Sequence, residues 1–505
     1  MKNTFKPLAL AAAVAAAGTA QAQIPVGGVY PSLGDAAFVP YYTVEGDWVT
    51  GVHITNTSDD TQVVKIRLRR AEDSVDVLDF NLILSPYDVW TGTLRGDDEV
   101  MRFVTEDNSC TAPELLPFDE GRTYAPIFED RIEGAQEGYI EIIGMGQAED
   151  EDEVIAIYAE HGSDGVPLDC DIVRENFFVD ALLDNDETMV DSDLIEDDED
   201  PYSYYDDTDN VLKVSYFIRD NASGIEFGNN AMHFVYFGDE AMMSHQEYGL
   251  ENYVNASNEQ VPANVGNDSL IGWDFPDVRG GGWNTDSRYS FYLVRLQLGA
   301  EEIINDWSYN PATGAATDWV VTFPGQYAMI DYYLDRFGPA NAVWDYRELP
   351  VTAEFKIWDR EEDSGVPGGL GFSPSPAPDT TTLEYEVNVI EWGGLEVLNS
   401  NYVTAVNPAE NQIDSPYGWA TLSVTGRSGP ANGVLGAGVN GWCDVAAGEF
   451  NADGDVASAD GACDMYSVSG PVPMVGFAAW ERTFAEDTDR NYGRIVEHSF
   501  TTSFN

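Results

Sequence analysis

Basic residues are the scarcest feature of this 505-residue chain, which has 24 Lys and Arg against 89 Asp and Glu and a formal net charge of −65 at pH 7. Such a surplus of negative charge repels nucleic acid and anionic membranes, so we expect neither as a partner. Salt screens the repulsion among the protein's own carboxylates over a few ångströms. The composition therefore favours a protein that works in a saline medium, with calcium binding by clustered carboxylates as the alternative explanation.

Long apolar runs are also missing, and no stretch approaches the roughly 18 uninterrupted apolar residues of a membrane-spanning helix. The apolar segment LALAAAVAAA at residues 8–17 follows Lys2 and Lys6 and precedes the small-residue motif AQA at residues 20–22. This order is typical of a secretory signal peptide. We therefore expect an exported protein without a membrane span, located at the cell surface, in the extracellular medium or in the periplasm.

Cysteine is rare. The four cysteines are Cys110, Cys170, Cys443 and Cys463. An even number in an exported chain predicts two disulfides, and proximity favours Cys110–Cys170 and Cys443–Cys463, although four cysteines allow three pairings. No CxxC or His/Cys spacing of a structural zinc site is present.

Catalytic motifs are missing as well, since the chain contains neither GxSxG nor HExxH. The five histidines stand in no recognisable catalytic setting: they are His53, His161, His233, His245 and His498. Nucleophilic catalysis needs a base beside a Ser or Cys. Glycoside hydrolysis needs two carboxylates, which sequence position does not select among 89 acids. We therefore predict no catalytic residues and a protein that is not an enzyme.

What the chain has instead is period-two alternation. Between residues 46 and 94, segments such as VKIRLRR (64–70) and DFNLIL (79–84) are separated by polar turns. This pattern is typical of antiparallel strands with one face on a core, and it predicts one wall of a β-sandwich. The similar strings at 138–146 and 418–426 indicate either two related sandwich domains or ordinary edge strands.

About 480 mature residues exceed what one core accommodates. We therefore predict a mainly β fold of two Ig-like or jelly-roll-type sandwich domains with a few short helices, for which residues 239–253 and 293–306 have helix-like spacing. The segments are a signal peptide (1–22), a β-sandwich domain (23–147), an acidic, largely loop insertion (148–210), a β-rich region with short helices (211–360), a Gly/Pro-rich loop (361–380) and a C-terminal β-rich domain (381–505).

An acidic segment, NADGDVASADGACD at residues 451–464, is the candidate metal site. Its candidate calcium ligands are Asn451, Asp453, Asp455 and Asp460. The first three occupy positions 1, 3 and 5 of a calcium loop, but Val456 stands where an EF-hand has Gly and Ala462 where it has Glu. The alternative is an ordinary acidic surface loop.

A basic stripe, consisting of Lys65, Arg67, Arg69 and Arg70, is the candidate interface. One explanation is local pairing with Glu72, Asp73 and Asp76. The other is an electrostatic contact with the acidic segment of the same or a neighbouring molecule. Exposed ion pairs contribute only about 0–1 kcal/mol each, so such an interface would have to be contiguous.

Four phrases of the sequence resemble a family of exported, β-rich proteobacterial surface proteins with no assigned activity. They are VHITNTSDDTQVVKIRLRRAEDSVDVLDFNLILSPYDVW (52–90), GIEFGNNA (224–231), TDWVVTFP (317–324) and YEVNVI (385–390). The resemblance implies a β-rich protein that is secreted or held at the cell surface. It supplies no catalytic residues, and the acidic segment 181–210 departs from it.

The function predicted from these features is that of a non-enzymatic cell-surface or extracellular-matrix protein, in its most specific version a self-assembling filament or layer subunit. Residues 23–44 would then add a strand to a neighbour's sheet edge. The alternative is a carbohydrate-binding or glycan-processing protein, because 12 Trp, 26 Tyr and 23 Phe offer rings that stack on sugars. Burial of these rings in cores and subunit contacts is the simpler explanation.

Overall fold

We describe the protein from a computed structural model. The residues described are 32–237 (without 75, 97–99, 120, 128–131, 152 and 178–204), 241, 297–324, 351–364 (without 363), 380–427 (without 410–412), 472–484 and 490–501, together with the backbone of 252–254, 260–262, 442–444 and 465–467. The predicted signal peptide and the candidate calcium loop lie outside them. The described part is mainly β, as the sequence predicted, with antiparallel sheets and two short helices.

The first half of the chain forms a sandwich. Its strands are β1 (Ala36–Thr43), β2 (Trp48–Asn56), β3 (Gln62–Arg70), β4 (Asp76–Leu84), β5 (Val89–Gly96), β6 (Met101–Thr105), β7 (Thr111–Ala112), β8 (Leu116–Pro117), β9 (Thr123–Pro126), β10 (Glu137–Ala148), β11 (Tyr205–Asp206), β12 (Leu212–Asp220), β13 (Glu226–Asn230) and β14 (Met232–Phe234). Sheet A has the order β13-β12-β2-β5-β6-β9-β8, and sheet B has the order β14-β1-β10-β3-β4-β7 with β11 on β10.

Alternation places the apolar residues of these strands in one core. Val52 and Ile54 of sheet A and Ile66, Leu68 and Phe80 of sheet B are all buried in the same hydrophobic cluster. Period-two side chains from two facing sheets interdigitate in this way in a β-sandwich. The strands that the sequence predicted over residues 46–94 are therefore present as β2 to β5.

The segment 23–44, proposed from sequence as a strand donor, is part of this sandwich where it is described. β1 pairs antiparallel with β10 on one side and with β14 on the other, and all eight of its residues are buried. The backbone N–H and C=O groups of Ala36, Ala37 and Phe38 are therefore satisfied on both edges of the strand within the chain. Residues 36–43 are not a free arm, and deleting them removes an internal strand instead of leaving an intact monomer.

Two helices cover one end of the outer face of sheet B. They are α1 (Val154–Ala159) and α2 (Cys170–Glu175), and Asp169 caps the N-terminus of α2, where its carboxylate accepts the backbone N–H of Asp171 at 3.0 Å. A disulfide joins Cys110 to Cys170, which confirms that predicted pair. The described start of the predicted acidic loop (148–210) is thus helical. Neither helix, at six residues each, has the length or apolar character needed to cross a bilayer.

The remaining strands are β15 (Asn252–Val254), β16 (Gln260–Pro262), β17 (Gly299–Ala300), β18 (Glu302–Asn310), β19 (Ala315–Thr322), β20 (Val351–Asp359), β21 (Thr380–Leu383), β22 (Val387–Trp392), β23 (Val403–Val406), β24 (Tyr417–Arg427), β25 (Trp442–Asp444), β26 (Met465–Ser467), β27 (Val472–Pro473), β28 (Val475–Arg482), β29 (Tyr492–Glu497) and β30 (Ser499–Thr501). Ten of them form a second sandwich of two layers that meet at the β18–β19 hairpin. Sheet C contains β21-β20-β24-β18 with β30, and sheet D contains β23-β22-β19-β28-β29.

The central strands of sheet D, which are β19, β22 and the first part of β28, are buried on both faces. Trp319 and Trp392 on one face pack with Trp307 of sheet C in the second core, whereas Val320 and Phe477 on the other face join the core of the first sandwich. Both faces are therefore apolar, as expected for a central layer.

One sequence expectation for this region needs correction. The helix expected within residues 293–306 is a strand from Glu302 onward, because Ile303 enters the second core while Ile304 points to the other face of β18. The strands that precede and follow the predicted Gly/Pro-rich loop (361–380), β20 and β21, are hydrogen-bonded neighbours in one sheet.

Candidate functional site

The outer face of sheet A carries two arginines side by side. In β5 the buried Trp90 and Leu94 face the core, and Arg95, one residue further along, is partly exposed on the opposite face. Arg95 pairs across the ladder with Arg102 of β6. Like charges directly opposite each other destabilise a sheet, so this arrangement needs a compensating contact.

A cleft of about 480 Å³ opens at this pair. Among the residues that line it are Arg95, Arg102, Trp48, Val49, Phe118 and Asn221. The β1–β2 turn that lines the cleft contains Gly46, whose φ of +59° favours glycine, and the Asn221 N–H donates to the Asp47 carbonyl oxygen at 3.0 Å. Backbone hydrogen bonds therefore hold one wall of the cleft. We call this site the arginine cleft.

Aromatic rings support Arg102. Its guanidinium carbon lies 5.5 Å from the ring centroid of Phe118 and 5.2 Å from that of Tyr124. Contacts at these distances are cation–π interactions, which fix the direction of the guanidinium without neutralising it. A third cation, the exposed Arg219 of β12, pairs across the ladder with the cleft residue Val49.

Within the part of the chain that the structure describes, neither Arg95 nor Arg102 has a carboxylate within ion-pair distance. The Nε of Arg95 is buried and reaches no hydrogen-bond acceptor there. Other arginines do have such partners: Arg122 pairs with Asp119 and Arg174 with Asp171. The acidic residues 97–99 of the β5–β6 turn lie outside the described residues.

The chemistry available in the arginine cleft is anion binding. A guanidinium is planar and always charged, and it donates two parallel hydrogen bonds to a carboxylate, sulfate or phosphate. Two such groups facing one cleft, beside the rings of Trp48 and Phe118, suit a ligand with acidic groups and an apolar face.

The basic stripe predicted as an interface lies inside the protein instead. Lys65 and Arg67 are fully buried and Arg69 is 3% exposed, on the face of β3 opposite the sandwich core. Three of these side chains thus have no surface to offer a second molecule, and their assignment as an interface is wrong. Arg70 is partly buried and pairs with Asp73, and Asp76 pairs with both Arg67 and Arg69, so the local pairing offered as the alternative is confirmed for Asp73 and Asp76.

An internal ion network replaces that interface. Asp76 Oδ2 lies 3.2 Å from Arg67 Nη1 and 2.9 Å from Arg69 Nη1. Asp79 Oδ1 lies 3.2 Å from Lys65 Nζ, and Glu141 Oε1 lies 3.4 Å from Arg69 Nε. Burial lowers the pKa of Lys65, although Asp79 opposes that effect. Three cations and three carboxylates from adjacent strands therefore neutralise each other.

The predicted calcium ligands Asn451, Asp453, Asp455 and Asp460 lie outside the described residues, as does Cys463 of the second predicted disulfide. Among the residues that are described, no group of three or more His, Cys, Asp or Glu side chains is arranged to hold a metal ion.

Three of the histidines are placed by the structure in informative settings. His53 is exposed on sheet A, with its ring centroid 6.1 Å from that of Phe217. His233 and His498 are buried, and burial lowers the pKa of each to about 4. His233 Nε2 accepts the Val214 N–H at 2.8 Å, so its role is structural.

Comparisons of the chain with family models, with curated proteins and with solved structures found no match. The resemblance to exported surface proteins therefore stays a prediction.

Sequence reasoning missed Arg95 and Arg102. The available signal was their placement on either side of a polar turn, since in LRGDDEVMR Arg95 lies three residues before Asp98 and Arg102 lies three residues after Glu99. A hairpin centred on that turn brings both side chains to one face, because residues opposite each other across a ladder share a face.

Proposed function

We propose that this protein is an exported, non-enzymatic cell-surface or extracellular-matrix protein that binds an acidic polysaccharide through the arginine cleft. The observation that carries the proposal is the Arg95–Arg102 pair, which has no carboxylate partner among the described residues of a chain with a net charge of −65. Acidic residues are abundant in this chain, yet these two adjacent arginines have no carboxylate partner among the described residues. This favours an external anion as their ligand.

A polysaccharide suits this surface better than a small anion for two reasons. The cleft lies on an open sheet face, where Phe118 and Tyr124 add apolar surface beside the guanidinium groups. A polymer also presents many identical acidic groups, so neighbouring binding events become intramolecular and raise the overall affinity. In a saline medium, screening over a few ångströms limits the repulsion from the rest of the protein.

Binding to polygalacturonate and dextran sulfate, with neutral dextran as the reference, tests the proposal. We expect the mature protein to bind an acidic polymer, and the double variant Arg95→Gln/Arg102→Gln to bind it about tenfold or more weakly, since hydrogen bonds to charged groups contribute about 1.5–3 kcal/mol each. The matched control is Arg490→Gln/Arg494→Gln. It removes the same charge from two exposed arginines that pack on the rings of Phe484 and Trp480 in the second sandwich.

Isothermal titration calorimetry at high salt provides the affinities. Equal binding of dextran and both acidic polymers by the mature protein contradicts the proposed function. Unchanged binding by the cleft variant places the ligand elsewhere. Poly-glutamate binding in the absence of polysaccharide binding would make the ligand an acidic peptide.

Self-assembly into a filament or layer, with calcium at the acidic loops, stays a prediction from the sequence. Strand donation by residues 36–43 is not available to it, because β1 is paired on both edges within its own sheet. Light scattering of the mature protein with calcium and with a chelator tests assembly by any other route.

A further inference from the structure

The outer face of sheet C carries a stacked pair of tryptophans, of which Trp419 is exposed and Trp358 is half-buried. Trp358 of β20 and Trp419 of β24 pair directly across the ladder, with ring centroids 4.1 Å apart and planes inclined by 9°. Trp419 is 38% exposed. The neighbouring Tyr417 packs against Arg360, whose guanidinium carbon lies 5.5 Å from the ring centroid. We call Trp358, Trp419 and Tyr417 the aromatic patch.

This pair does not serve the core of the second sandwich. That core is already filled by Trp307, Trp319 and Trp392, each fully buried. Exposing a large ring forfeits the hydrophobic stabilisation that burial would give, so a stacked pair on a sheet surface indicates a contact made outside the chain.

The groups around the aromatic patch are polar and of both signs. Trp419 pairs across the ladder with the exposed Asp306, and Thr421 pairs with the exposed Lys356. The patch thus combines ring surface with hydrogen-bond donors and acceptors and has little net charge. A pyranose has the complementary chemistry, since its C–H face is apolar and its rim consists of hydroxyl groups.

We propose that the aromatic patch is a second saccharide site, specific for neutral sugar rings, and that it makes the protein bivalent. The bivalency, though not the site itself, rests on the function proposed above. Sheet A presents its outer face away from the first core, and sheet C presents its outer face away from the second core. A glycan on one face therefore does not occupy the other, and one molecule joins an acidic polysaccharide chain to a neutral one.

Affinity electrophoresis in gels containing hydroxyethylcellulose or galactomannan tests the second site. We expect retardation of the mature protein in at least one of these gels, and a loss of about tenfold or more in affinity for Trp419→Ala. Trp419→Phe, which keeps a ring on Trp358, should retain most of the binding. The matched control is Tyr492→Ala, which removes another exposed ring, 52% exposed, from β29 of the same sandwich.

Comparing the two variants on both polymers distinguishes the two sites. Arg95→Gln/Arg102→Gln should bind the neutral polymer normally, and Trp419→Ala should bind the acidic polymer normally. Only the mature protein with both sites intact should coprecipitate a mixture of the two polymers.

Absence of neutral binding by the mature protein, or equal binding by Trp419→Ala with its thermal unfolding unchanged, overturns the second site and leaves the acidic site standing. Neutral binding without acidic binding overturns the proposed function and leaves the aromatic patch standing. A phenyl matrix provides the last comparison. If it retains the mature protein, and if Trp419→Ala loses that retention to the same extent as it loses binding in the gel, the patch is a general apolar surface. That result also overturns the saccharide assignment.

Discussion

Asp76→Asn should lower the free energy of unfolding by about 3–5 kcal/mol, the usual effect of removing one partner from a buried ion pair. Asp76 Oδ2 lies within ion-pair distance of both Arg67 and Arg69, and all three side chains are buried. The amide of Asn keeps a hydrogen-bond acceptor but removes the negative charge, so each of the two buried guanidinium groups loses one of its carboxylate partners and keeps the other, Asp79 or Glu141. Urea unfolding followed by tryptophan fluorescence measures the change.

Asp119→Asn is the matched control. Asp119 makes the same type of ion pair with Arg122, but its side chain is 49% exposed. Surface pairs contribute about 0–1 kcal/mol, so the control variant should be close to the parent protein. Equal, small effects of the two substitutions would show that the network of Asp76 is not buried in solution.

Raising the pH from about 4 to about 7 should destabilise the protein, and Asp318→Asn should remove much of that dependence. Asp318 of β19 is buried where sheet D packs on the first sandwich, and burial raises its pKa to about 7, although the N–H groups of Val397 and Leu398, each 3.0 Å from Oδ2, oppose that shift. The folded state holds the proton that the unfolded chain releases near its ordinary pKa of 3.8.

The direction of the pH dependence follows from the difference between the pKa of Asp318 in the folded and in the unfolded chain. The stabilisation is complete below the pKa of the unfolded chain, and it is lost as the pH rises through the folded value. A shift of about three pKa units corresponds to about 4 kcal/mol as an upper limit for Asp318. Glu481, which faces Asp220, has its pKa raised to about 7 by burial and adds in the same direction. Glu391, opposite Asp318 in the ladder, also has a raised pKa.

Urea unfolding at a series of pH values and at high salt measures the dependence, with salt suppressing the general repulsion among 89 acidic residues. Asp306→Asn, an exposed position on the neighbouring strand β18, is the control and should keep the parent slope. An identical slope for parent and Asp318→Asn would show that Asp318 is ionised throughout the range.

The amino-acid sequence alone determined the strands of the first sandwich between residues 46 and 94. Alternation at residues 64–70 and 79–84 predicted strands, and β3 and β4 occupy these positions. Period-two patterning reports which residues share a face, because successive side chains of a strand point in opposite directions. The Cys110–Cys170 disulfide could also be predicted from the sequence, because proximity along the chain favours this pairing over the others.

Only the tertiary structure decided which faces meet solvent. The polar face of β3 was expected to be exposed, but it is covered, and its cations meet Asp76, Asp79 and Glu141 from flanking strands. In the same way, composition does not distinguish the buried Trp307 from the exposed Trp419. Exposure depends on how the sheets stack and on the register between strands distant in sequence, and no local pattern encodes either. For that reason the arginine cleft and the aromatic patch became visible only in the folded chain.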